Sequence, residues 1–221
     1  MALKVVELRQ YTLHPGQREA LVALFDSALV RPQEALGMTI IGQFRDVERP
    51  ERFVWLRGFA GMDARQRALS SFYDGPDWAK HCEAANRTMA AFDDVLLLRP
   101  VVGFDLAKAA ARPPARWAAA IAALEPAALG GFTASFRREA MPRLAEIGVP
   151  VEAILITETA RNTYPRLPVR EGESVLVWFA RLPAGTTPAE AWAPLAGWLE
   201  GRLVRPLETL HLAPTAGSRL R

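Results

Sequence analysis

Val5-Val6-Glu7-Leu8-Arg9-Gln10-Tyr11-Thr12-Leu13-His14-Pro15-Gly16 is the stretch from which the organisation of the chain can be read. Successive side chains of a strand point to opposite faces, so Val6 and Leu8 share one face while Glu7, Arg9 and Tyr11 share the other. His14-Pro15-Gly16 supplies the turn that ends the strand. One face suits a core. The other carries a carboxylate, a guanidinium and a phenol in a row and is a candidate site.

Beyond the turn, Leu21, Leu24, Phe25, Ala28 and Leu29 recur at helical spacing and predict an amphipathic helix, interrupted near Pro32 and stopped at Gly37. Residues 38–45 and 53–59 read as a hairpin turning through 46–51, and Phe53, Trp55, Arg57 and Phe59 share one face of its second strand. Asp63 and Gln66 have the spacing of a capping box for a helix reaching Phe72. Gly75-Pro76 restarts a longer helix whose Trp78, Cys82, Ala85, Met89 and Phe92 fall on one stripe, and residues 95–101 close the unit as a fourth strand. Strand, helix, strand, strand, helix, strand is the ferredoxin-like order, an antiparallel sheet with helices on one face. Its other face needs a cover.

The chain supplies that cover itself. After an alanine-rich linker at 105–115, containing Pro113-Pro114, the anchors of the first unit return: Pro126, Phe136 and Gly148 each lie 111 residues after Pro15, Phe25 and Gly37. Pro165 follows Pro50 by 115 and Trp178 follows Trp55 by 123, so the second hairpin turn is longer by eight residues, around 166–173. Pro214 follows Pro100 by 114, so the helical region after Trp178 is nine residues shorter. Thr187, Pro188 and Glu190 have the spacing of a capping box with proline at the first helical position. The expected units are 1–104 and a degenerate copy at 116–215, with a flexible basic tail at 216–221. The 111 offset assigns the alanine-rich Trp117 to Leu124 stretch to a strand although its composition favours a helix.

Composition narrows the function classes. A chain of 221 residues, 50% apolar, fills two cores of ordinary domain size. It has neither a long apolar run nor a basic-then-apolar leader, so a cytoplasmic protein without a membrane span is expected. Its net charge of +3 with no basic stripe interleaved with aromatics argues against nucleic acid. One cysteine, Cys82, leaves no disulfide, and His14, His81 and His211 lack ligand spacing, so no metal or other cofactor is expected. Cys82 sits on the apolar stripe and reads as an inert buried thiol.

The Val6 to Gly16 stretch, Val54-Trp55-Leu56, Arg65-Gln66-Arg67 and Asp77-Trp78, in that order, closely resemble the NIPSNAP family over residues 5–100. The resemblance implies a dimeric α/β barrel, here built within one chain as two tandem ferredoxin-like units packed sheet to sheet. It also implies kinship with cofactor-free and haem-degrading monooxygenases, although fold alone does not carry chemistry from one protein to another.

At an offset of 111, Glu7, Arg9 and Tyr11 become Ala118, Ala120 and Ala122, and at 123 Arg57 becomes Ala180 while Trp55 remains as Trp178. Only the first half can carry a polar site. With that face placed between the sheets, an arginine needs an anion, because an unpaired buried charge costs several kcal/mol. Either Glu7 and Arg57 neutralise Arg9 internally, or an arginine holds a ligand's carboxylate or phosphate while Tyr11 and Trp55 pack on its apolar part. Glu7, Arg9, Tyr11, Trp55 and Arg57 are the candidate ligand-binding residues, with Arg65, Arg67 and Trp78 secondary. Tyr11 and His81 are the candidate acid–base groups. The leading expectation is a small anionic or aromatic ligand in a barrel pocket. Its alternatives are a cofactor-independent oxygenase or isomerase, and a ligand-free interaction module. A homo-oligomer is compatible with the sequence.

Overall fold

The computed structural model describes residues 2–221. Strand β1 (Val5–Leu13) leads into α1 (Arg18–Leu24), which passes through a widened π-turn at Phe25–Leu29 into α2 (Val30–Ala35). The hairpin β2 (Thr39–Asp46) and β3 (Arg52–Phe59) follows, then α3 (Met62–Tyr73), α4 (Pro76–Asn86) and the long β4 (Met89–Val102). After α5 (Leu106–Ala110) the second unit runs β5 (Trp117–Ala123), α6 (Leu129–Ser135), a π-turn at Phe136–Ala140 and α7 (Met141–Glu146). It continues with β6 (Val151–Thr157), β7 (Val175–Arg181), α8 (Pro188–Trp192), α9 (Ala196–Leu199) and β8 (Glu208–Pro214).

The strands form one closed barrel in the order β1-β3-β2-β8-β5-β7-β6-β4. Each unit contributes a ferredoxin-like sheet, β4-β1-β3-β2 and β6-β7-β5-β8, and the two join along the β2–β8 and β4–β6 seams. Closure removes the unpaired edges that either sheet would expose alone. The expected fold is the observed one.

Both helical crossings share an unusual device. Pro32 and Pro142 lack an N–H and crowd the carbonyl four residues back, and in each case that residue, Ala28 or Arg138, lies in the π-turn. Gly37 (φ +87°) and Gly148 (φ +76°) then end the two helices in the left-handed region that glycine tolerates.

One apolar cluster draws on all eight strands, among its members Val6, Leu8, Phe44, Leu56, Leu98, Ile121, Leu155, Val177 and Leu212, and only the barrel interior can gather such a set. A second layer lies outside the sheet of the first unit, where Phe53, Trp55 and Phe59 meet Leu21, Phe25, Leu29, Leu69 and Phe72 of the helices. A third covers the second unit, where Ala118, Ala120 and Ala122 leave room for Phe136, Trp178, Trp192 and Trp198. The alanines sit in a strand because the β7 and β8 ladders flank them on both sides, overriding their helical propensity.

Several local expectations are corrected. Helix α4 stops at Asn86, so Met89 and Phe92 belong to β4. Thr88 breaks the helix by donating its hydroxyl to the Ala85 carbonyl at 2.7 Å, and Met89 then pairs with Leu13. Gly61 precedes α3 and no side chain caps it, so Asp63 and Gln66 form no capping box, whereas the Thr187–Glu190 box is present. The linker region folds as α5 and buries Ala109 in the interior cluster, with Phe104 5.1 Å from Phe179. The C-terminal residues are not a loose tail. Leu220 is fully buried among interior residues, Ser218 Oγ accepts from Gln43 N at 3.1 Å, and Trp117 Nε1 donates to the Arg221 carbonyl at 3.0 Å. Cys82 is half-buried rather than buried.

Candidate functional site

The alternation of β1 places Glu7, Arg9 and Tyr11 outside the barrel, beneath the helices, and not between the two sheets. The interior of an eight-stranded barrel is narrow and already filled with apolar side chains. The sheet-to-helix layer is where a long guanidinium finds polar partners from a second element. Across the β1–β3 ladder Glu7 faces Arg57, Arg9 faces Trp55 and Tyr11 faces Phe53. Helix α3 then lowers Arg65 onto the same point.

Glu7, Arg9, Arg57 and Arg65 are all fully buried. Glu7 Oε2 accepts from Arg57 Nε at 2.7 Å and from Arg9 Nη1 at 2.8 Å, and its Oε1 accepts from Arg65 Nε at 2.6 Å. Three further bonds hold the fans of the guanidiniums: Arg57 Nη1 to Gln33 Oε1 at 3.0 Å, Arg65 Nη1 to Asn162 Oδ1 at 2.9 Å, and Arg9 Nε to the Tyr11 hydroxyl at 2.9 Å. Arg9 and Arg57 also lie over the Trp55 ring, at 5.6 and 5.0 Å from its centre. Such cation–π contacts are worth more where water is excluded.

One carboxylate therefore stands against three guanidiniums, and the cluster carries two positive charges in excess. The Nη2 groups of Arg9, Arg57 and Arg65 find no acceptor among the described residues. Burial alone would push the Glu7 carboxyl up, but the charges of Arg57, Arg9 and Arg65 outweigh it and hold it far below the usual carboxylate range. Burial works against the Arg65 cation, Glu7 opposes that, and its two arginine neighbours add to the penalty, leaving it below its ordinary value. Burial pushes the Tyr11 phenol up, so it remains a neutral hydroxyl.

Beside the cluster lies a cavity of about 180 Å³ lined by Tyr11, Tyr73, Trp78, Met89, Phe92 and Tyr164. A smaller void of about 30 Å³ continues inward past Tyr11, Tyr73, Trp78 and Met89 to Trp55 and Gln33. Gln33 and Tyr11 line the pocket and also accept from Arg57 and Arg9. The pocket is thus aromatic on its walls and cationic behind its floor.

Residues 6–101 match the NIPSNAP family model. The first unit is a NIPSNAP domain. It contains Glu7, all three clustered arginines and most of the pocket. No curated protein matches the chain. Among solved structures, a candidate monooxygenase from Lactobacillus acidophilus is 14% identical over 96% of this chain and 94% of its own, with a TM-score of 0.60. Another candidate monooxygenase, from Fusobacterium nucleatum, is 7% identical over 96% of this chain and 93% of its own, with a TM-score of 0.63. These likenesses show the whole-chain barrel fold.

Within the NIPSNAP domain the structure gathers Glu7, Arg9, Tyr11, Trp55, Arg57 and Arg65, with half-buried Trp78 on the pocket wall. Arg67 points to solvent, and His81 lines neither void. Four contributors were not foreseen. Gln33 sits one residue after Pro32, and Tyr73 ends α3. Asn162 and Tyr164 come from the long 158–174 connection of the second unit, the turn whose extra length is the one signal that was available. That connection reaches over the NIPSNAP domain: Asn162 accepts from Arg65, Tyr164 stacks on Tyr73 at 5.9 Å, and Arg166 pairs with Asp74. Among the described residues no helix is long and apolar enough to cross a membrane, and no group of three or more His, Cys, Asp or Glu is placed to hold a metal ion.

Proposed function

We propose that the chain binds a small aromatic anion in the pocket between the sheet and helices of its NIPSNAP domain, with Glu7, Arg9 and Arg57 setting the field at the inner end and Tyr11, Trp55 and Trp78 contacting the ring. One observation carries this reading: three fully buried guanidiniums share a single carboxylate and leave all three Nη2 groups without a protein acceptor. An anion restores the charge balance that burial demands. A cavity of about 180 Å³ accommodates one substituted ring, since an apolar void of roughly 150 Å³ holds benzene. A ligand-free interaction module gives no reason for the excess charge.

Thermal-shift measurements on wild type and Arg9→Ala with aromatic carboxylates, acyl and phosphate compounds, and with haemin as an oversized control, test this. Ligand at 100 times its Kd stabilises by about 2.7 kcal/mol. A shift in wild type that Arg9→Ala abolishes supports the reading, and equal shifts in both overturn it.

A second reading has its own observation. The Tyr11 hydroxyl accepts from Arg9 and borders both voids, so its proton is free to donate to an enolate-like oxygen on a bound ligand. Cofactor-independent oxygenation or isomerisation follows that pattern. Turnover under oxygen that Tyr11→Phe leaves unchanged excludes it.

We also infer that residues 116–215 are a divergent copy of 1–104, with 105–115 as the joining segment. The two π-turns at one offset, the two helix-ending glycines and the matched β1–β3 and β5–β7 registers support common descent.

A further inference from the structure

Tyr164 is 6% exposed and lines the aromatic cavity, and its hydroxyl has no hydrogen-bond partner among the described residues. A buried hydroxyl left in that state opposes folding instead of supporting it, so stability gives no reason to retain it. Two neighbours hold its ring: it stacks on Tyr73 at 5.9 Å with an interplanar angle of 24°, and the Arg166 guanidinium lies 5.7 Å from its centre. Asn162 Oδ1 accepts from Tyr164 N at 3.0 Å and ties the segment to Arg65. The hydroxyl is therefore held in place by its surroundings. Tyr73 also neighbours the arginine cluster, its ring centre 6.0 Å from the Arg57 guanidinium carbon.

We infer that Tyr164, supplied by the second unit, is a specificity-determining residue that hydrogen-bonds a polar substituent of the ligand while the ligand's anionic group is drawn to the arginine cluster. This rests on the proposed function and narrows it. The ligand class becomes an aromatic anion with a second polar group, such as a hydroxylated aromatic carboxylate. A site built to pair a ligand hydroxyl discriminates strongly against the analogue that lacks it.

The test is calorimetric titration of wild type and Tyr164→Phe with benzoate and with 2-, 3- and 4-hydroxybenzoate. At least one hydroxybenzoate is expected to bind wild type about tenfold tighter than benzoate, the effect of one well-made hydrogen bond. Tyr164→Phe should erase that advantage, bringing the affinity for the hydroxybenzoate down to that for benzoate. The Tm of unliganded Tyr164→Phe should equal or exceed that of wild type, which a hydroxyl with a structural role would not allow. An advantage that survives in Tyr164→Phe, or the lack of any advantage in wild type, overturns the role of Tyr164 while benzoate binding keeps the anion pocket. If benzoate itself does not bind, both fall.

Discussion

Glu7 Oε2 accepts a 2.7 Å hydrogen bond from Arg57 Nε directly across the β1–β3 ladder. In the second unit the corresponding cross-strand pair is Ala118 and Ala180. The same sheet-and-helix frame thus builds two unlike layers. In one unit charges are buried at a desolvation cost of several kcal/mol each, and in the other the space is filled with Phe136, Trp178, Trp192 and Trp198. The layer of the second unit is apolar throughout, and that of the first is built around buried charge.

Glu7→Gln leaves three guanidiniums buried without their carboxylate and should destabilise the fold by about 3–5 kcal/mol, read by denaturant unfolding at pH 7. The pH dependence has a definite sign. Glu7 is depressed in the fold from an ordinary value of 4.5, so its contribution is complete above that pH and drains away as pH falls toward the depressed value. The gap between wild type and Glu7→Gln should therefore be constant down to about pH 5 and narrow below it. A gap that stays constant to pH 3 contradicts the ion-pair assignment.

Trp178 is fully buried against Phe136 and Trp192, with ring centres 4.8 and 5.4 Å away. Trp178→Ala should cost about 3–5 kcal/mol, and a loss below about 1 would place that layer in solvent. Ala120→Arg, which drives an unpaired charge into the same layer, should destabilise at least as much and leave the cluster around Glu7 chemically intact.

Leu220 is buried in the barrel cluster, so Leu220→Ala should lower stability by about 2–5 kcal/mol. Truncation after Gly217 should do so at least as strongly. Unfolding curves identical to wild type for both would restore the flexible tail that the basic C-terminal sequence suggests.

Asn162 Oδ1 accepts from Arg65 Nη1 and from Tyr164 N. Asn162→Ala should cost about 1–3 kcal/mol through the stranded Arg65 donor. It should also speed limited proteolysis within 158–174, and cleavage at the wild-type rate would show that the segment is held by other contacts.

The fold was legible because its signals are periodic and repeated. Strand alternation from Val5 to Leu13, the 111 offset and the paired helix-ending glycines Gly37 and Gly148 all agree on two ferredoxin-like sheets. The membership of the site was largely legible too: Glu7, Arg9, Tyr11, Trp55 and Arg57 do converge. The side of the sheet on which they converge was not. Alternation says which residues share a face but gives no hint of which face meets helices, and both faces here contain apolar partners. Gln33, Tyr73, Asn162 and Tyr164 were missed because their roles depend on tertiary proximity between segments far apart in the chain, as with Tyr11 and Tyr164 on one cavity wall, which local pattern does not encode. Leu220 was missed for the same reason.

The most direct measurement is calorimetric titration of the wild-type protein with benzoate beside benzamide, its neutral counterpart of nearly the same shape. Two uncompensated buried charges should bind benzoate at least tenfold tighter, with affinity lost in Arg9→Ala. Equal affinity for the two compounds, or no heat with either, would contradict an anion site at the Glu7–Arg9–Arg57–Arg65 cluster.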